Sequence, residues 1–146
     1  MRNEKILLLM GDTYRSNLYC QYLKYNSIEF KALLYGFGED KILPELDKIS
    51  REFFESQNFY IPKTNIGVRS FLEESKIEYE LLNEKNINSY LLLDKIKEIN
   101  PDIIIFSGYG GDILNYKHFS ENVNYIHMHP GDIPTEKGST TIFYSI

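Results

Sequence analysis

DIIIFSG, residues 102–108, decides how this chain folds. Three isoleucines and a phenylalanine run together without a polar break, between Asn100-Pro101 on one side and Gly108 on the other. A strand with one wet face alternates apolar and polar residues. A strand covered on both faces does not, so this run predicts a central strand of a sheet with layers above and below it. EKILLLM (4–10) has the same character. IEFKALLYGFG (28–38) reads as another strand, ending in a glycine-rich turn, and KIEYELL (76–82) alternates like a strand. NYIHMH (124–129) reads as the last one.

Between these runs the spacing changes to that of helices. In LYCQYLKYN (18–26), Leu18, Tyr19, Tyr22 and Leu23 line one face, and across 42–57 Ile42, Leu46, Ile49 and Phe53 recur at helical intervals. A polar stretch, SQNFYIPKTN (56–65), leads to GVRSFLEESK (67–76), with Val68, Phe71 and Leu72 on one side. SYLLLDKIKEI (89–99) turns Leu92, Ile96 and Ile99 inward, and Asn100-Pro101 stops it. Strands alternating with helices predict an α/β fold, Rossmann-like, with a mainly parallel sheet and helices on both faces. At 146 residues the chain has room for one domain. Ligands of such sheets bind beyond the carboxyl ends of the strands. That rule selects GDTYRSN (11–17), YGFGED (35–40), GYGGDIL (108–114) and HMHPGDIPTEKGSTT (127–141).

Composition narrows the partners. A net charge of −5 with scattered basic residues predicts no nucleic-acid surface. No apolar run approaches a membrane span or a signal peptide, so a cytoplasmic protein with no membrane contact is expected. The single cysteine, Cys20, fits that compartment and reads as a packing residue. Twelve tyrosines and nine phenylalanines are assigned mainly to the core.

The last of the four segments is the richest. Two of the three histidines, His127 and His129, lie two apart on a predicted strand and would share a face. Pro130 favours extended geometry before it, Gly131 permits a sharp turn, and Ser139-Thr140-Thr141 supplies cap residues for a following helix. One reading gives an imidazole an acid–base or oxyanion-stabilising role, with its neighbour donating a hydrogen bond. A second gives His127, His129 and Asp132 or Asp112 a metal, although one nearby carboxylate and no His-x-x-x-His pair make a poor ligand set. The third leaves both histidines structural, satisfied by backbone.

PDIIIFSGYGGDIL followed by IHMHPGDIPTEKGSTT resembles the 10-formyltetrahydrofolate-dependent formyltransferase superfamily. That superfamily includes glycinamide ribonucleotide transformylase, methionyl-tRNA formyltransferase and the sugar N-formyltransferases. KILLLMGDTYRSNL is similar to its first strand and Ser-Asn-Leu loop. The resemblance implies transfer of a formyl group from 10-formyltetrahydrofolate, as co-substrate, to the amine of a small acceptor. The acceptor implied is a nucleotide-linked amino sugar, since HPGDIPTEKGSTT looks closest to the sugar-type members. The other readings of the same fold are a non-catalytic folate- or nucleotide-binding remnant and a formyltetrahydrofolate hydrolase.

The resemblance also assigns residues. His129 falls on the family's oxyanion-stabilising histidine, and His127 on its asparagine, a departure that a neutral imidazole can bridge by donating one N–H. Gly110, Gly111, Asp112, Ile113 and Leu114 fall on the loop whose backbone binds the pterin, where absent side chains leave room for a flat ring. Thr13, Arg15, Ser16 and Asn17, with Pro130 and Gly131, are the implied acceptor contacts. At the start of a helix the first four suit a phosphate, while the simpler reading makes Ser16 a helix cap. No metal is required, and a homodimer is compatible. The family's catalytic aspartate lies further along than the seventeen residues that follow His129 here. The expectation is therefore a catalytic domain incomplete at its C-terminal end, with little turnover.

Overall fold

A computed structural model describes residues 4–36, 38, 40, 42–119 and 122–128. Five strands, β1 (Ile6–Gly11), β2 (Lys31–Tyr35), β3 (Tyr79–Leu82), β4 (Ile103–Ser107) and β5 (Asn124–Ile126), form one parallel sheet in the order β3-β2-β1-β4-β5. The two unbroken apolar runs are the two central strands. Leu7, Leu8 and Leu9 of β1 pair with Ile104, Ile105 and Phe106 of β4. Helices α1 (Tyr14–Tyr25), α2 (Lys48–Ser56), α3 (Val68–Glu74) and α4 (Tyr90–Ile99) connect the strands. Among the described residues, no helix is long and apolar enough to cross a membrane.

Side chains alternate across each strand, so β1 feeds two cores at once. Leu7 and Leu9 pack with Leu33, Tyr35, Ile104 and Phe106 beneath Leu92 and Ile96 of α4. Leu8 and Met10 pack on the opposite face with Ala32 and Leu34, beneath Cys20 of α1 and Val68 and Leu72 of α3. The α/β class, the parallel sheet and the two covered faces expected from the sequence are all present. Cys20 packs its sulfur 3.7 Å from that of Met10, and burial pushes its thiol pKa up.

Four expectations need correction. The buried face of α1 is Ser16, Asn17, Cys20 and Gln21, while Leu18 and Tyr22 are exposed. The polar face is buried because it has a polar partner in the segment before α3. Gln21 donates to Lys63 O at 2.7 Å and accepts from Lys63 N–H at 2.8 Å, and Asn17 donates to Ile66 O. The second helix starts only at Lys48, with Asp47 as its cap, and none of its residues is buried. The aromatic residues lie mostly outside the core: of those described, only Tyr35 and Phe106 are buried. β5 ends at Ile126, so His127 follows the strand instead of belonging to it.

Candidate functional site

The sheet order places its switch point between β1 and β4: the chain leaves β1 toward β2 and β3, then returns on the other side. Loops leaving neighbouring strands in opposite directions open a crevice at their carboxyl ends, which is where ligands of such sheets bind. Here the residues after β1 meet those after β4. Thr13 caps α1 by accepting from Ser16 N–H at 3.1 Å. Ser16 itself is buried, its hydroxyl 3.0 Å from both Ser107 O and Ser107 Oγ. Arg15 reaches across to donate to Gly108 O at 2.6 Å. Thr13, Arg15, Ser16 and Asn17 thus sit at the crevice, but their polar groups cap α1 and knit it to the end of β4 and to the segment before α3. Thr13, not Ser16, is the cap.

Tyr109 closes the β1 side of the crevice. Its hydroxyl accepts from Asp12 N–H at 3.0 Å and donates to Tyr35 O at 3.2 Å, tying the ends of β1 and β2 together. The ring lies over two glycines: a Cβ at Gly11 would come within 2.7 Å of it, and one at Gly36 within 2.8 Å. Gly36 also has φ of +88°, which an L side chain rarely adopts. In a dinucleotide-binding turn such glycines admit a pyrophosphate; here they admit a tyrosine of the same chain.

The rest of the loop after β4 divides in two. Asp112 turns inward, its carboxylate accepting from Tyr35 hydroxyl and, at 3.0 Å, from Tyr109 N–H. Burial, followed by this carboxylate, pushes the Tyr35 phenol pKa up, so the tyrosine remains the donor. Leu114 packs against the core. Gly110 and Gly111 face outward, with no heavy atom within 4 Å of where a Cβ would be, and Ile113 is 78 % exposed. The loop is therefore held at Asp112 and Leu114 and presents backbone and one apolar side chain to solvent between them.

His127 reaches the same end of the sheet from β5. Its Nδ1 lies 3.0 Å from Phe106 O. A carbonyl only accepts, so Nδ1 carries the proton in this contact, and in a neutral ring the lone pair is at Nε2. His129, Pro130 and Gly131 lie outside the described residues, as does Asp132 of the metal reading. Among the described residues, no group of three or more His, Cys, Asp and Glu side chains is placed to hold a metal ion.

Sequence reasoning missed Asp12, which is 4 % exposed, accepts from Asp40 N–H at 2.9 Å and lies 3.7 Å from Arg69 Nε. Asp40 in turn accepts from Arg69 N–H at 2.9 Å and Ser70 hydroxyl at 2.6 Å, tying the loop after β2 to the first turn of α3. The available signal was position, since Asp12 directly follows an apolar strand. No family model, curated protein or solved structure matches the chain.

Proposed function

We propose that this protein is a formyltransferase using 10-formyltetrahydrofolate, of the formyltransferase catalytic-domain type, acting on the amine of a nucleotide-linked amino sugar. The observation that carries the proposal is the outward-facing Gly110-Gly111 backbone at the carboxyl end of β4, close to the switch point. A flat heterocycle read by backbone groups needs a stretch of chain that is stereochemically open and held from behind. Gly110 and Gly111 supply the first, and Asp112 and Leu114 the second. Exposed Ile113 adds an apolar contact. Bound there, 10-formyltetrahydrofolate supplies the formyl group to the acceptor amine.

His127 then takes a particular role. The N–H at Nδ1 is given to Phe106 O, which holds the ring at the carboxyl end of β4 and keeps that N–H from an oxyanion. His127 is therefore assigned to shaping this end of the site, and His129 to the oxyanion. Small acceptors are favoured over tRNA by the net charge of −5. The test is formyl transfer from 10-formyltetrahydrofolate to a panel of nucleotide-linked amino sugars, followed by mass spectrometry for the formamide. A formylated sugar supports the proposal; no formylated product from any acceptor, including simple amines, contradicts it.

A further inference from the structure

The short segment between β3 and α4 grips the loop after β4. Asn88 donates from Nδ2 to Ile113 O at 2.9 Å and accepts at Oδ1 from Asn115 N–H at 2.9 Å. A carbonyl only accepts and an N–H only donates, so the two partners fix which way the amide points. One side chain thus bonds the backbone on either side of Leu114, as a residue of a neighbouring parallel strand would. Asn88 is itself held from both sides. Its N–H bonds Asn86 Oδ1 at 2.9 Å, and Asn86 N–H bonds Glu84 Oε1 at 2.8 Å. Ile87 before it is buried in the core, and Ser89 after it caps α4. The carbonyl of Ile87 accepts from His118 Nε2 at 3.0 Å, which fastens the far end of the loop to the same segment.

The exposed part of the loop depends on that grip. Asp112 is held by Tyr35 and Tyr109, and Leu114 packs against the core, but Ile113 between them is 78 % exposed. Asn88 fixes the carbonyl of Ile113, and with it the direction in which that side chain leaves the loop. Both bonds lie near solvent, where water replaces them at little cost to the fold. What they remove is the freedom of the backbone at 113–115. We propose that Asn88 is a positioning residue for the ring site, acting through the loop backbone to hold Gly110–Leu114 in the conformation that receives the folate. This role rests on the folate reading of the loop. The ring meets a loop already ordered, so binding does not have to supply that order.

Calorimetric titration with 5-formyltetrahydrofolate, paired with amide hydrogen exchange, tests this. Asn88→Leu keeps the size of the side chain and removes both bonds. It should bind the folate about tenfold more weakly, with Asn115 N–H exchanging about tenfold faster or more. Its urea midpoint should stay close to that of the wild type, and amides of β1 and β4 should keep their protection. Asn88→Gln, which keeps both amide groups, should recover the affinity to within about threefold. Equal affinity in the wild type and Asn88→Leu overturns the role of Asn88 and leaves the folate reading standing. So does a loss that Asn88→Gln shares in full. No binding by the wild type up to millimolar ligand overturns the folate reading, and this role with it.

Discussion

Tyr35, the last residue of β2, donates its hydroxyl to the carboxylate of Asp112, 77 residues later in the loop after β4. The two rings at this junction, Tyr35 and Tyr109, meet edge to face with centroids 5.5 Å apart. One hydroxyl thus fixes the back of the Gly110-Gly111 loop to the opposite side of the switch point. In Tyr35→Phe the Asp112 carboxylate keeps Tyr109 N–H but loses its charged hydrogen bond with the phenol. Stability should fall by about 1.5–3 kcal/mol, read by urea unfolding, and amide exchange at 109–112 should quicken.

His118 gives the fold a pH dependence on the acid side. The ring is 5 % exposed, with Nε2 3.0 Å from Ile87 O and Nδ1 3.4 Å from Tyr125 hydroxyl. Burial lowers its pKa below the ordinary value of 6.5, partly offset by the contact with Ile87 O. The folded chain therefore resists a proton that the unfolded chain accepts. Stability is full above pH 6.5 and declines as pH falls from there toward the lowered folded value. Urea unfolding between about pH 7.5 and 5.5 should show this decline, and His118→Gln should flatten it.

All four described α-helices end through a left-handed residue that is not glycine: Ser27 after α1, Asn58 after α2, Lys76 after α3 and Asn100 after α4, with φ of 56°, 57°, 54° and 48°. The first three stops have the same wiring. Ile28 N–H bonds Leu23 O, Phe59 N–H bonds Phe54 O, and Ile77 N–H bonds Leu72 O. Ser27→Gly and Lys76→Gly remove the steric cost of that backbone at exposed sites. Each should raise stability by about 0.5–1 kcal/mol, measured by thermal unfolding.

Those stops also show what the sequence made legible and what it hid. The apolar runs ILLL and IIIF identified the central strands, because burial on both faces leaves no alternation to misread. Asn100-Pro101 marked the end of α4, but the ends of the other three helices were harder, since no glycine or proline marks them. Their signal is an apolar pair five residues apart, Leu23/Ile28, Phe54/Phe59 and Leu72/Ile77, that closes over the last turn. The face of α1 was misread because its buried side is polar and matched by Lys63 and Ile66, partners that only the tertiary fold brings near. The loops after β1 and β4 were found from strand ends alone. The ties among Asp12, Tyr35 and Tyr109 could not be, since they join residues up to 97 positions apart. His129, Pro130 and Gly131, with the start of a helix at Ser139, fall outside the described residues.

Gly110 offers the most direct test of the folate reading. A Cβ there meets nothing within 4 Å, so Gly110→Val should keep the fold while obstructing any ring laid on the loop. The measurement is calorimetric titration of wild type and Gly110→Val with 5-formyltetrahydrofolate, a stable analogue of the co-substrate. The account predicts saturable binding by the wild type and at least about tenfold weaker binding by the variant, equivalent to about 1.4 kcal/mol. Absence of binding by the wild type up to millimolar ligand, or equal affinity in the two proteins, would contradict it.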